Sequence, residues 1–450
     1  MTAESLPHWD LSNVFPGLES EEFIQAVSQV RAQLDQLDAY LSAQDIARGG
    51  MVPATPVALA GAIGGYLDRM NALLRLFGTL RAYIQSFVST ESYNTTARRL
   101  MSELEPLDVR LEHQEVLFRG WIGTVAEGAG SLEAALDQPG SAHEHAFYLR
   151  ETASQSRYLM SEAEEALAAE LSLSGVRAWE KLQGVLTSQL RVPFEREGGV
   201  KELPITIVQN LRTDPDEGVR RRAYETELAA WEGVREPLAA CMNGVKGTQA
   251  TLNRKRGRAD ALHQPLDQSR IDRETFEVML GAMHDSFPCF RRYWEAKAGR
   301  LGKEALPWWD LFAPMGKAER RYTFAQAQDL ILEQFAGFSG RLASFARRAF
   351  ERHWIDAEPR SGKEGGAFCM RIPAVDESRI LCNYDGSLDQ VLTLAHELGH
   401  GYHNECHVGK EPLQRSTPMT LAETASIFCQ TIVTDAALAQ VASPDEELAI

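Results

Sequence analysis

Two histidines and a glutamate stand close together at His396-Glu397-Leu398-Gly399-His400, which is an H-E-x-x-H pattern. In a helix, positions i and i+4 lie on one face, about 6 Å apart along the axis. His396 and His400 can therefore present ring nitrogens to one Zn²⁺ at about 2.0–2.1 Å. Glu397 points to the side where water would meet the ion, and we expect it to act as general base. The motif predicts a zinc-dependent hydrolytic site.

The segment around the motif, Leu388 to Tyr402, is rich in leucine, valine and alanine, which predicts a largely buried helix. Buried histidines and glutamates need partners, and a metal ion supplies them. The alternative is a chance motif on a solvated helix that binds no metal. Gly399 weakens such a helix by about 1 kcal/mol relative to alanine. A second element that packs closely against this position would explain the glycine.

A zinc hydrolase needs a third protein ligand, and four residues are candidates: His403, Glu405, His407 and Glu423. His403 shares a face with the motif histidines but lies about 10.5 Å along the axis from His396, too far for one ion. We expect His403 to line the cleft or to be packed in the core. Glu405 is rotated off the metal-binding face, and His407 would need a break in the helix.

Glu423 is the favoured third ligand. It lies within an apolar segment, Met419 to Phe428, that follows Ser416-Thr417-Pro418, a typical helix start. A single glutamate in such a helix needs a partner, and a helix packed against the first one could direct the carboxylate to the metal. The alternative partner is an arginine.

Several segments of the sequence, taken together, resemble those of one protein family. H-E-L-G-H followed by L-A-E-T-A-S, with Glu423 standing 23 residues after His400, resembles the oligoendopeptidase F group of the thimet oligopeptidase-like zinc metallopeptidases. Similar segments occur in the family's order at residues 9–12, 306–314, 354–360, 365–369 and 378–387. The resemblance implies that His396, His400 and Glu423 bind one Zn²⁺ per chain and that Glu397 is the general base.

The same resemblance implies a mainly α fold, an elongated multi-helix metallopeptidase with a deep groove and a small β element beside the zinc helix. It implies a zinc-dependent endopeptidase that hydrolyses internal bonds of short oligopeptides. Family members continue well beyond the zinc glutamate, into a segment whose tyrosines and histidine steady the oxyanion. This chain ends 27 residues after Glu423, so we expect a C-terminally shortened member.

Two alternatives to an active endopeptidase stay open. One is a shortened or inactive relative that binds zinc and peptides without efficient turnover. The other is a helical scaffold that binds no metal.

Helical periodicity dominates up to about residue 186, where the pattern changes. Leu190 to Phe194 and Leu203 to Val208, separated by Glu197-Gly198-Gly199, predict a β-hairpin. We place the domain boundary here, with an N-terminal helical domain at 1–195 and a catalytic domain at 196–450.

A second non-helical stretch, 356–387, leads directly into the zinc helix. It contains two predicted strands, Ala367 to Ile372 and Ser378 to Asn383. An exposed strand edge can bind a peptide through its main chain. We therefore expect Gly366, Ala367 and Phe368 to bind substrate together with His403. The alternative is a hairpin that only supports the zinc helix.

Composition restricts the class of protein. Of 450 residues, 44% are apolar and 24% are charged, as in globular proteins. No apolar run reaches 18 residues and no leader is recognisable, so we expect no membrane partner. Six cysteines without a C-x-x-C pair suit a reducing cytoplasm. The net charge of −17 argues against a nucleic-acid partner. The oligomeric state does not follow from the sequence.

Overall fold

The computed structural model describes residues 5–128, 131–196, 199–316, 321–441 and 443–448. Most of these residues are helical, and two small sheets accompany the helices. The prediction of a mainly α fold is confirmed. Among the described residues, no helix combines the length and the apolar character that crossing a membrane requires.

The N-terminal part consists of helices packed around one apolar core. Its longest helix begins at a threonine cap, because Thr55 accepts a hydrogen bond from the Ala58 backbone N–H and Pro56 occupies the first turn. Phe118 and Trp121 are fully buried in this core. The helices are α1 (Glu21–Ala43), α2 (Pro56–Thr90), α3 (Thr95–Glu127), α4 (Ser131–Leu136), α5 (Ser141–Glu144), α6 (Ala146–Ser156), α7 (Glu162–Ser174) and α8 (Val176–Ser188).

A β-hairpin follows, where strands β1 (Arg191–Arg196) and β2 (Gly199–Pro204) pair antiparallel. The predicted turn residues 197 and 198 lie outside the described residues. The predicted second strand is wrong beyond Pro204, because Ile205–Asn210 form a helix, α9. Ile205 and Val208 are buried with helical spacing, and a short apolar run alone does not distinguish helix from strand. The boundary between residues 195 and 196 falls within β1 and stays a prediction.

The middle of the chain is again helical. It contains α10 (Glu217–Gly233), α11 (Arg235–Lys255), α12 (His263–Ser269), α13 (Arg273–Arg300), α14 (Phe324–Phe338) and α15 (Gly340–Glu351). Helices α14 and α15 belong to a second apolar core, which they share with the helices that follow the sheet. In contrast, α13 buries only Lys297 and Ala298 near its C-terminal end.

Three strands form a sheet beside the metal-site helix: β3 (Ile355–Asp356), β4 (Phe368–Ile372) and β5 (Glu377–Leu381), in the order β3-β5-β4. The strand β5 pairs parallel with β3 and antiparallel with β4, so β4 is an edge strand of this sheet. The two strands predicted for this stretch are present. Both β4 and β5 pack against the helix α16 (Leu388–Cys406), as predicted for the small β element.

The last helices are α17 (Met419–Ala422), α18 (Thr424–Ala439) and α19 (Pro444–Glu447). Helix α18 packs along α16, and the two backbones come close together at Gly399. A Cβ at this position would lie 2.6 Å from the Ala425 carbonyl oxygen and 2.6 Å from the Ser426 Cα. The glycine inside α16 therefore allows the two helix backbones to approach each other.

We predict that Gly399→Ala lowers the free energy of unfolding by about 1–3 kcal/mol, because the new methyl group meets backbone atoms of α18 that cannot move alone. The measurement is urea denaturation followed by circular dichroism. Gly61→Ala is the matched control, since Gly61 lies within α2 with nothing near its Cβ position. The control should stabilise the protein by about 0.5–1 kcal/mol. Equal effects of both changes would contradict the close approach at Gly399.

Candidate metal centre

Helix α16 carries two functional histidines on its partly exposed side. It begins after Ser387, whose Oγ accepts a hydrogen bond from the Gln390 backbone N–H. Its apolar side is fully buried in the second core through Val391, Leu394, Ala395 and Leu398. His396 and His400 lie one turn apart, with ring centroids separated by 4.9 Å. The core packing of α16 thus fixes the direction in which both imidazoles point.

Glu423 stands between α17 and α18 and meets both imidazoles. Its Oε2 lies 3.1 Å from Nε2 of His396 and 3.3 Å from Nε2 of His400. The three potential ligand atoms all lie within 4.8 Å of one another. Tetrahedral zinc with ligand bonds of about 2.0–2.1 Å separates its ligands by roughly 3.3 Å. The arrangement of donors therefore fits a zinc ion.

Two further side chains orient these donors. The Oε1 of Gln430 lies 3.0 Å from Nδ1 of His396 and accepts a hydrogen bond from its N–H, which leaves Nε2 free to bind a metal. The Oγ of Ser426 donates to Oε2 of Glu423 at 2.6 Å. Neither residue was predicted from the sequence. Their positions three and seven residues after Glu423 place them on one face of a helix with it, which is the signal that could have identified them.

The electrostatics of the donors favour the protonation states that a metal requires. The hydrogen bond from Ser426, together with the two nearby imidazoles, lowers the pKa of Glu423 below its ordinary value. Burial lowers the pKa of His400. At neutral pH the carboxylate is thus charged and His400 is neutral.

Glu397 occupies a different environment from Glu423. Glu397 is only 5% exposed, and its Oε2 has no hydrogen-bond partner among the described residues. Burial, with a further contribution from the charge of Glu423, raises the pKa of Glu397 to about 7. An unpartnered carboxylate oxygen with a pKa near neutrality can accept and release a proton.

A cavity of about 430 Å³ opens beside His396 and Glu397. Gly366 and Ala367, two of the predicted substrate-binding residues, line it together with residues of the α9 segment. Gly366 has a φ of +80°, which favours glycine. The side-chain amide of Asn383 donates to the carbonyl oxygen of Gly366 at 3.0 Å and so holds this loop. Phe368 begins β4 directly after this loop.

The other candidate ligands lie elsewhere. Glu405 pairs with Arg348 at 2.8 Å. His403 and His407 are neighbours, with ring centroids 4.7 Å apart, and both line a separate, mainly apolar cavity of about 560 Å³. His403 is thus not among the residues that line the cavity beside Glu397.

Comparisons with known proteins agree with this geometry. A sequence model of Peptidase family M3 matches residues 210–450, and a model of Oligopeptidase F matches residues 128–191. An oligoendopeptidase F homolog of Lactococcus lactis is 23% identical over 296 residues, which are 65% of this chain and 49% of the relative. The group B oligopeptidase PepB of Streptococcus agalactiae is 24% identical over 307 residues, 68% of this chain and 51% of the relative.

Solved structures show a similar fold. PZ peptidase A, solved with an inhibitor, superposes with a TM-score of 0.69 at 14% identity, over 94% of this chain and 71% of that one. Oligoendopeptidase F from Enterococcus faecium superposes with a TM-score of 0.63 at 16% identity, over 95% of this chain and 69% of that one.

A helical fold with an H-E-x-x-H helix and a glutamate from the next helix defines a metallopeptidase class. Since the family model covers more than half of its residues, the chain belongs to peptidase family M3, in its oligopeptidase F group. The chain spans about half the length of the curated relatives it matches.

We predict that Glu423→Gln abolishes stoichiometric zinc binding, because the amide oxygen is a poor replacement for the carboxylate between two imidazoles. The measurement is equilibrium dialysis against zinc, with metal content read by mass spectrometry. Glu405→Gln is the matched control and should bind as the wild type does, since its carboxylate pairs with Arg348. Loss of zinc in the control with retention in Glu423→Gln would exclude Glu423 as a ligand.

We predict a pH-dependent stability difference between metal-free wild type and Glu397→Gln. The folded-state pKa of about 7 lies above the ordinary value of 4.5, so the folded protein favours the protonated carboxyl. Stability is therefore lost as pH rises from about 4.5 to 7, by roughly 3 kcal/mol in total. Glutamine cannot ionise and avoids this loss.

The measurement is urea denaturation in the presence of a chelator at about pH 4.5 and about pH 8. The variant should match the wild type at the lower pH and exceed its stability at the higher one. A difference that stays constant with pH would contradict the raised pKa.

Proposed function

We propose that this protein is a zinc-dependent endopeptidase that hydrolyses internal peptide bonds of short oligopeptides. One observation carries the proposal. The carboxylate of Glu423 contacts Nε2 of both His396 and His400. Glu397 lines the same cavity as His396, and its buried Oε2 has no hydrogen-bond partner in the described part of the chain. Three ligands and a separate base are the minimum protein component of a zinc hydrolase.

His396, His400 and Glu423 would hold one zinc ion, with Gln430 and Ser426 orienting two of them. Bound zinc polarises a peptide carbonyl group and lowers the pKa of water toward about 7. The partial exposure of the two imidazoles, 24% and 23% of their side chains, leaves room for a ligand other than protein.

Glu397 acts as the general base in this proposal. Its carboxylate takes a proton from the attacking water and delivers it to the amine that leaves. A group with a pKa near the working pH performs both transfers well, and burial of Glu397 brings its pKa to about 7.

The loop before β4 positions the peptide. Gly366 and Ala367 line the cavity, and Phe368 starts the edge strand β4, whose main chain would pair with the peptide. Main-chain pairing recognises a peptide with little regard to its side chains. The relatives named as oligopeptidases support short peptides as substrates. His403 contributes through the neighbouring apolar cavity, as a contact for a longer substrate.

We place the enzyme in a reducing cytoplasm. All six cysteines are free. Cys369 lies in β4, and Cys382 directly follows β5, the strand that pairs with β4. Oligopeptides are the proposed partners, and the charge of −17 disfavours nucleic acids.

A second candidate function is zinc and peptide binding with little turnover. The exposure of Glu423, whose side chain is 52% accessible, favours it. Electrostatic stabilisation of a transition state is strongest where water is excluded. Because Glu423 is open to solvent, such stabilisation would be weak at this site.

We predict that Glu397→Gln lowers hydrolysis of quenched fluorescent peptides by about 10²–10⁴-fold, because loss of a general base costs this much. Zinc stoichiometry should stay at one per chain, since Glu397 is not a proposed ligand. Glu405→Gln serves as control and should retain full activity. Equal, negligible hydrolysis by wild type and variant, with zinc bound in both, would favour the second candidate function.

A further inference from the structure

Lys363 is a buried lysine directly before the loop that lines the cavity beside Glu397. None of its side-chain surface is exposed, and lysines are almost never buried this completely unless they are paired. The next four residues, 364–367, form the cavity loop, in which Gly365, Gly366 and Ala367 line the cavity. Lys363 itself does not line it. A fully buried charge at the base of this loop indicates a role in holding it.

The ammonium group of Lys363 joins three segments of the chain. It lies 2.6 Å from Oδ1 of Asp356 in β3 and donates to the carbonyl oxygen of the same residue at 3.1 Å. It also donates to the carbonyl oxygens of Glu358 at 3.0 Å and of Cys382 at 2.7 Å. Lysine has three N–H donors and no acceptor, so these four oxygens satisfy it. One side chain therefore links β3, the residues after it and the end of β5.

The backbone on both sides of Lys363 is attached to the N-terminal helices. The backbone N–H of Ser92 donates to the carbonyl oxygen of Gly362 at 2.7 Å. The backbone N–H of Glu364 donates to the carbonyl oxygen of Ser89, in the last turn of α2, also at 2.7 Å. The segment is thus held between α2 and the sheet, and the Lys363 side chain supplies its attachment to the sheet.

Asn383 extends this attachment to the cavity loop. It directly follows Cys382, one of the residues whose carbonyl oxygen accepts a hydrogen bond from Lys363. Its side-chain amide donates to the carbonyl oxygens of Glu364 and Gly366, each at 3.0 Å. Lys363 therefore fixes the strand end from which Asn383 holds the loop. Hydrogen bonds from a charged donor are stronger than neutral ones, which favours a rigid loop.

We propose that Lys363 is a positioning residue for the peptide substrate. The inference rests on the proposed peptidase function, because it concerns how the cavity loop meets a peptide. A loop that is already held in its binding conformation loses less entropy when the peptide binds. Without the ammonium group, the carbonyl oxygens of Asp356, Glu358 and Cys382 lose a donor, and the loop becomes mobile. Lys363 acts through the loop and does not touch the peptide.

The first test is amide hydrogen exchange of the full chain, read by mass spectrometry, which needs no activity. Lys363→Met keeps an unbranched side chain but removes the donors. We expect exchange in residues 362–368 to become at least about tenfold faster, while helix α3 keeps its rates. Lys297→Met is the matched control, since Lys297 is also buried, at 7% exposure, and donates to the carbonyl oxygen of Leu311 at 2.9 Å. It should leave residues 362–368 unchanged.

The second test is the kinetics of quenched fluorescent peptides. Lys363→Met should raise KM about tenfold and change kcat by less than about threefold, because binding is lost while Glu397 and the proposed metal ligands stay in place. The zinc dissociation constant should change by less than about threefold, and Lys297→Met should keep the wild-type KM. A merely structural role would give the opposite pattern, since partial unfolding lowers the apparent kcat at constant KM.

A double variant separates positioning from the cost of an unpaired carboxylate. Lys363→Met combined with Asp356→Asn removes both buried charges, and the raised KM should persist. Recovery of the wild-type KM in the double variant would overturn the proposal. Unchanged exchange in residues 362–368, or a lower kcat at constant KM, would also overturn it.

Failure of the proposed function has a different signature. If the wild type hydrolyses no peptide while Lys363→Met still speeds exchange in the cavity loop, the peptidase function falls and the role in positioning a peptide falls with it. If the wild type hydrolyses peptides and Lys363→Met does so with the same KM, only the role of Lys363 is overturned.

Discussion

The candidate metal centre depends on one contact, in which a carboxylate oxygen of Glu423 meets two imidazoles. It requires α16 and α18 to lie close enough for side chains of ordinary length to converge. Gly399 makes this possible, because any Cβ there would overlap the backbone at Ala425 and Ser426. The interruption of the helix at Glu423 has the same effect, since it turns this side chain toward α16. The metal centre is thus a consequence of helix–helix packing.

The two glutamates of the site show how environment separates the roles of identical side chains. Glu423 is half exposed and accepts a hydrogen bond from Ser426, so its pKa falls and it stays a charged ligand. Glu397 is buried without a hydrogen-bond partner among the described residues, and its pKa rises to about 7. One residue is suited to binding a cation and the other to moving a proton.

Helices α16 and α13 differ in how far their apolar side chains are buried. Helix α16 buries its leucines and valine against α15, α18 and the sheet, and its polar side faces the cavity. Helix α13 exposes several large apolar side chains in the described part of the chain, Met283 and Phe290 among them. A helix in a protein gains most of its stability from packing of its apolar face, and α16 has this packing within the described part of the chain.

The sequence by itself determined the H-E-x-x-H helix, the choice of Glu423 over three nearer candidates and the strands before the helix. These follow from helical geometry, from ligand chemistry and from motifs that lie close together along the chain. Only the tertiary structure decided that Gln430 reaches His396 from another helix, that α9 lines the cavity beside Glu397 and that His403 lines a separate one. These relations join residues through packing, and a short apolar run such as Ile205–Asn210 carries too little periodicity to reveal even its own helix. Packing between distant segments has no local signal in the sequence, and this is why it had to be observed.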